Sequence, residues 1–309
     1  MKKRWLSLAV AATAAITVLA GCGSKAAETT AAATEAATTE AASSEAAESS
    51  AEETKAEAAA EGEIPAPEGD DNKISIGVTP VPHAEIVNDV VVPKLEAAGW
   101  DVEVVEFNDY VQPNTSLEDG EIDANYFQTI RYLEEQNKER GLHLVEVAGI
   151  HLEPMGIYSK NYKSLEELPD GATIAVPNDG SNESRAIKLL ADNGLITLAE
   201  TEDLYNLTSI AENPHNFEIT ELDAANLPRS LDDVDAAVIN GNYALEAGFS
   251  PVEDSLLLEG AESPYANIIA VKSGDESKED IQKLLKALQS KKVSDYIGAN
   301  YKGGVVPAF

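Results

Sequence analysis

The residues best placed to do chemistry lie in one short run, Ala175-Val176-Pro177-Asn178-Asp179-Gly180-Ser181-Asn182-Glu183-Ser184-Arg185. Thr173–Val176 is apolar and β-favouring, Asn178-Asp179-Gly180 carries turn chemistry, and Ile187, Leu189 and Leu190 follow at helical positions. Ser181 or Asn182 can cap that helix. A helix start offers unpaired N–H groups and a partial positive charge to an anion. Arg185, one turn in, carries a planar fork that can hold a carboxylate by two parallel bonds. The plainer reading of the same run is an ordinary strand-to-helix connection with a solvent-exposed arginine.

Other catalytic constellations are not visible. His83, His143, His151 and His215 are scattered, with no HExxH or paired metal spacing. No Gly-x-Ser-x-Gly elbow, phosphate-binding loop or GxGxxG follows a strand. Asp232, Asp233 and Asp235 read as solvated loop acids. Neither an enzyme, a cofactor nor a metal site is expected. The formal net charge of −33 argues against nucleic acid as a partner.

The elements that must position the loop begin well inside the chain. Lys2-Lys3-Arg4 precede an apolar run from Leu6 to about Ala20, the pattern of a secretory signal at 1–21 and too short to span a membrane comfortably. Leu19-Ala20-Gly21-Cys22 resembles a bacterial lipobox, which implies cleavage before Cys22 and a lipid on its sulfur. Removing the three leader cations takes the net charge to −36. With the only cysteine so used, no disulfide or thiol nucleophile remains. Residues 22–72 are rich in Ala, Glu, Thr and Ser, with thirteen acids against Lys25 and Lys55. They cannot bury enough surface to offset their ordering entropy, and read as a disordered acidic tether.

From Lys73 onward, strand and helix patterns alternate, which predicts α/β architecture with mostly parallel sheets flanked by helices. Strands are expected at 73–78, 101–107, 143–147, 156–159, 173–176, 217–222, 236–239 and 266–271, with another leading out of 120–125. Helices are expected at 83–98, 127–140 and 181–193, with a long one at the C-terminus. A tethered two-lobed body outside the cytoplasm suits a solute-binding protein.

Specific segments carry the reading further. Glu106-Phe107-Asn108-Asp109-Tyr110-Val111, Asp123-Ala124-Asn125-Tyr126-Phe127-Gln128, Ala175–Asp179, Leu227-Pro228-Arg229-Ser230-Leu231-Asp232-Asp233, Ala237-Val238-Ile239-Asn240 and Ser263-Pro264-Tyr265-Ala266-Asn267 stand in order. Together they resemble the methionine-binding lipoprotein (MetQ/NlpA) family over nearly all of residues 73–309. The resemblance implies a type II periplasmic-binding-protein fold of two lobes, residues 73–161 plus about 266–309 and residues 162–265. It implies capture of L-methionine or a close relative and delivery to an ABC permease with a separate ATPase, at the extracytoplasmic face of the cell membrane. Ligand contacts carried over from the family are Tyr110, Phe127, Tyr132, Arg185, Asn240 and Asn267. The family usually has histidine where this chain has Thr129, and proline where it has Arg131. The slot near the ligand side chain is therefore expected to differ, and the alternative ligand is another apolar amino acid or a short methionine-containing peptide.

Overall fold

The computed structural model describes residues 63–68, 72–260 and 263–309. The expected signal segment at 1–21 and Cys22 lie outside the described residues, as does most of the expected tether. Residues 63–68 do not behave as tether. Ile64 is buried in the core of the first lobe, Trp100 Nε1 donates to the Pro65 carbonyl at 3.1 Å, and Lys286 Nζ donates to the Glu63 carbonyl at 3.0 Å. The acidic composition of 22–72 hid one isoleucine with an apolar surface to cover.

The fold opens on β1 (Lys73–Val78), whose Ile74, Ile76 and Val78 are fully buried. It pairs in parallel with β2 (Asp101–Glu106) and β3 (Ala124–Thr129), with Ile76 opposite Val104 and Ala124. β4 (Leu144–Leu152) ends this run, and the chain crosses at Glu153–Met155 into a second sheet. There it lays down β5 (Gly156–Tyr158) and β6 (Thr173–Pro177). A separate two-stranded pair, β7 (Thr197–Leu198) and β8 (Ile210–Glu212), precedes β9 (Glu218–Leu222), β10 (Ala236–Ile239) and β11 (Leu257–Leu258). The chain then returns to the first sheet as β12 (Ala266–Lys272) and finishes with β13 (Val306–Pro307).

The first sheet runs β13-β4-β12-β3-β1-β2 and the second β11-β5-β10-β6-β9. Parallel pairing holds for β2-β1-β3 and for β10-β6-β9. It gives way to antiparallel pairing where the crossing segments enter, at β12 against β3 and β4 and at β5 against β10 and β11. A strand that arrives from the other lobe must run back along its neighbour, so both sheets are mixed. The boundary at residue 161 also moves: β5 belongs to the second sheet, and the first crossing lies before it.

The longer helices are α1 (Gln112–Asp119), α2 (Ile130–Arg140), α3 (Gly180–Asp192), α4 (Gly241–Glu246, a short one), α5 (Glu279–Leu288) and α6 (Lys291–Asn300). The expected helix at 83–98 is a succession of wide turns and a short α-helical piece, Val92–Glu96, with Pro93 in its first turn, where its missing N–H costs nothing. α2 begins three residues later than its period suggests, because 124–129 is buried at every position and pairs on both edges. The long C-terminal helix is broken between α5 and α6 at Gln289-Ser290, where Ser290 is extended. Ile281, Leu284 and Leu288 of α5 close the first core against Ile74, Ile76 and Ile269. Ile187 and Leu190 of α3 close the second against Ile157, Ile174 and Val238. No helix among the described residues is long and apolar enough to cross a membrane.

Candidate binding site

Each lobe delivers side chains to one cavity of about 340 Å³, a volume that includes its mouth. From the first lobe come Tyr110, in the loop before α1, Phe127 and Thr129 at the end of β3, and Tyr132 in the first turn of α2. From the second come Asn182 and Arg185 of α3, Asn240 at the end of β10, and Gly241 and Asn242 opening α4. The crossings add Glu153 and Asn267. The seven expected residues thus share one lining. Gln128, Glu153, Asn182, Gly241 and Asn242 are additional. Glu153 had a faint signal, an acid at the end of an apolar strand, Ile150-His151-Leu152-Glu153-Pro154.

One end of the cavity is aromatic. The Tyr110 ring lies 5.7 Å from Phe127 and 5.6 Å from Tyr132, with Phe127 and Tyr132 6.1 Å apart in an edge-on arrangement. Tyr243, from the facing lobe, packs on Tyr110 at 4.9 Å. Such offset and edge-on rings bury a large apolar area with a fixed shape. Their hydroxyls are occupied: Tyr132 Oη donates to the Tyr110 carbonyl at 3.1 Å, and Tyr110 Oη donates to Asn242 Oδ1 at 2.5 Å. Burial pushes the Tyr110 hydroxyl well above its ordinary value, so it stays neutral. Thr129 has a local duty as well. It is the N-cap of α2, and its Oγ1 accepts the Tyr132 N–H at 3.4 Å.

The other end is polar, and it departs from expectation in two ways. α3 starts at Gly180, and Asp179, not Ser181 or Asn182, is the cap, accepting the Asn182 N–H at 2.9 Å. The open helix terminus is already filled from across the cleft: Glu135 of α2 accepts the Ser181 N–H at 2.8 Å. Arg185 is buried and paired. Its Nε donates to Glu259 Oε1 at 3.1 Å, its Nη2 donates to Glu259 Oε2 and, at 2.8 Å, to the Glu153 carbonyl. The guanidinium also sits 4.4 Å over the Tyr265 ring. The edge of the fork expected to face a ligand carboxylate is held by Glu259.

Behind Glu153 the fold gathers two of the four histidines that looked scattered. His151 Nε2 lies 2.6 Å and His83 Nε2 3.2 Å from Glu153 Oε1. His151 Nδ1 meets Tyr126 Oη at 2.5 Å, and His83 Nδ1 meets Thr79 Oγ1 at 2.8 Å. The three ligand-type atoms lie within 4.8 Å of one another, close enough to hold a metal ion. The proton arrangement suits a hydrogen-bond network better. Tyr126 Oη has no other acceptor among the described residues, so it donates to Nδ1 and places the proton of His151 on Nε2, facing Glu153. A metal at that nitrogen would need the opposite tautomer and would leave the Tyr126 proton unpaired. Burial keeps both imidazoles neutral, lowering His83 to about 4 and His151 to about 3.

Comparison with known proteins places this geometry in context. The model of the NlpA lipoprotein family matches residues 74–309. The chain is similar to the D-methionine-binding lipoprotein MetQ of Escherichia coli (strain K12), 41% identical over 242 residues that cover 77% of this chain and 89% of that protein. It is equally similar to the methionine-binding lipoprotein MetQ of Bacillus subtilis (strain 168), 41% identical over 256 residues, 81% of this chain and 93% of that one. Among solved structures, a nutrient-binding protein from Burkholderia cenocepacia bound to methionine is 47% identical, with a TM-score of 0.74 over 76% of this chain and 100% of that one.

Two outcomes are expected. A neutral buried histidine stabilises the fold fully above the unfolded value of 6.5, and that contribution is lost as pH falls through the folded value. For His83, between 6.5 and about 4, the loss amounts to about 3 kcal/mol. Glu153, raised chiefly by its burial, acts in the opposite direction. Urea unfolding of the parent and of His83→Gln at pH 7 and pH 4.5 isolates the histidine: the variant should lose less stability on acidification, and parallel losses would contradict the assignment. Arg185→Ala strands the Glu259 carboxylate in a site that is only 15% exposed. It should cost about 3 kcal/mol in the same assay at pH 7, and a loss below about 1 kcal/mol would show the pair to carry no structural weight.

Proposed function

Because the chain belongs to the NlpA lipoprotein family, we propose that it is a lipid-anchored, extracytoplasmic solute-binding protein that captures methionine between its lobes and delivers it to an ABC importer. The lipid sits on Cys22, and the energy comes from the importer's separate ATPase. No bond in the ligand is made or broken. The observation that carries the reading is the two-ended cavity: three packed rings at one end, backed by Tyr243, and ion-paired, amide-lined walls at the other. A free amino acid is a zwitterion, and taking it out of water requires partners for both charged ends. An apolar side chain needs the aromatic end, where a thioether gains modestly from sulfur–aromatic contact.

Capture works by lobe closure. A ligand that touches both lobes favours the form in which they meet. Three links across the cleft support this. Glu135 sits on the start of α3, where the unpaired N–H groups favour a carboxylate. Tyr110 bonds Asn242, and Tyr243 Oη donates to the Asn108 carbonyl at 3.5 Å. Gly180 makes the first link possible, since a Cβ there would lie 2.2 Å from Glu135 Oε1. Thr129 favours a second reading of the ligand. It is a short side chain at the aromatic end, which makes another apolar amino acid or a short methionine-containing peptide the alternative ligand.

Titration calorimetry with both methionine enantiomers, leucine, isoleucine, phenylalanine and glycyl-methionine tests the ligand assignment. Methionine should bind tightest, and no heat with any of them would overturn the reading. Thr129→His should reorder the apolar amino acids while costing at most about 1 kcal/mol of stability for the altered cap. An unmoved ranking would take Thr129 out of the side-chain slot. Gly180→Ala should weaken methionine binding by about tenfold through loss of a charge-assisted link, with unchanged secondary structure by circular dichroism. Unchanged affinity would remove Glu135 from the closing mechanism.

A further inference from the structure

The segment Glu63-Ile64-Pro65-Ala66-Pro67-Glu68 precedes the residues 74–309 matched by the family model, and its chemistry differs from that of the Ala, Glu, Thr and Ser run before it. It carries one large aliphatic side chain and two prolines. Each proline fixes its own φ and pushes the residue before it, Ile64 or Ala66, toward extended backbone. Such a segment has less freedom to lose on docking. The prolines also bring no N–H that needs an acceptor, while every carbonyl can still accept. Residues 63–67 are accordingly neither helix nor strand.

The first lobe supplies a complementary surface. Ile64, 5% exposed, belongs to the same buried cluster as Leu95, Trp100, Leu284 and Leu288. The Trp100 ring is itself 4% exposed, and a buried indole N–H requires an acceptor. Its one hydrogen bond among the described residues goes to the Pro65 carbonyl. Two residues earlier the Glu63 carbonyl accepts from Lys286 of α5. Pro67 Cδ lies 3.6 Å from where a Cβ on Gly99 would stand. Asn72 then leads into β1, donating from Nδ2 to the Gly99 carbonyl at 3.1 Å and accepting the Asp101 N–H at 2.7 Å. All these partners belong to the first lobe. The exposed Lys286 contact is worth little by itself, so the buried isoleucine and the indole bond carry the docking.

The path of the segment matters for where the chain meets the body. β1 runs parallel to β3, whose far end carries Phe127 and Thr129 in the cavity lining, so Lys73 lies at the pole away from the cleft. The docked segment leads back from that pole. Glu63 sits on Lys286, one turn before Gln289, and Gln289 Nε2 donates to the Gly149 carbonyl of β4 at 3.1 Å, just before the first crossing. We propose that residues 63–68 are a strap of the first lobe, seated on the surface formed by Trp100, Gly99 and α5. The chain that comes from Cys22 then joins the body at Glu63, on the flank beside α5, and not at the pole where β1 begins. The strap holds one lobe only, which leaves the second lobe free of it.

Fluorescence tests the strap directly, because Trp100 is the only tryptophan from Cys22 onward. In that chain, unlipidated, Ile64→Asp and deletion of residues 63–68 should each shift Trp100 emission to the red and raise its quenching by acrylamide. Each should also lower the urea midpoint by about 0.5–1 M. Should Ile64→Asp fail to fold, Ile64→Ala carries the same readouts in the same directions. Emission, quenching and midpoint unchanged from the parent would overturn the proposal by reducing the segment to a loose surface contact. Methionine affinity should stay within about threefold of the parent, as for sites that share no partners, and a tenfold loss in a variant that folds would overturn the restriction of the strap to one lobe. The fluorescence and urea readouts need no ligand, so they decide the strap independently of the amino-acid-binding reading.

Discussion

A guanidinium at the dry waist of a two-lobed protein is tolerable only when its protons have acceptors that do not move away. Arg185 meets that condition with partners on both chain crossings: the Glu153 carbonyl on the first, and Glu259 and the Tyr265 ring on the second. The cation therefore ties α3, which opens the second-lobe side of the cleft, to the two segments that join the lobes. Removing one member of a buried pair costs more than the pair contributes, because the other is left charged and dry. Position at the hinge and charge balance in the cleft are set by the same group.

The rest of the cleft follows from that arrangement. With Arg185 committed to Glu259, the start of α3 is free to take a carboxylate from across the gap, and Glu135 supplies it. The acids around this end are numerous, but each has donors: Asp179 caps α3, Glu135 spans the lobes, and Glu259 holds the arginine. Glu153 sits behind them against two neutral imidazoles, accepting from His151 with His83 beside it, and its burial raises its pKa. At the opposite end Tyr110 links the two chemistries, with its ring in the aromatic wall and its hydroxyl on Asn242. A single molecule with an apolar end and a doubly charged end matches both walls of the cavity at once.

Much of the frame was legible residue by residue. The alternation in Lys73–Val78 and the apolar period of α3 reappear as buried faces of the two cores. The loop at 178–185 was recognisable as a strand-to-helix turn, and the motif segments led to seven residues that share one cavity. Three errors have identifiable causes. Composition cannot see that Ile64 has a partner surface, so the folded part begins earlier than the acidic stretch suggests. A strand buried on both faces carries no alternation, so 124–129 hid the start of α2. Periodicity is blind to strand direction, so the antiparallel crossing strands were missed and β5 was placed in the wrong lobe.

By itself the chain determined its residue inventory: an arginine one turn into a helix, aromatic residues at 110, 127 and 132, asparagines at strand ends, and four histidines too dispersed to suggest a site. Local pattern and family-like segments follow from neighbours along the chain, which is why they can be read there. Tertiary structure decided which charges meet. The Arg185–Glu259 pair spans 74 residues, the His83–Asn267 bond 184, and the Glu135–Ser181 link 46. It also decided that Asn240 spends its amide nitrogen on Asn182 and leaves its oxygen buried without a partner. Such choices depend on which donors and acceptors remain unpaired once both lobes have packed, a balance that no stretch of sequence contains.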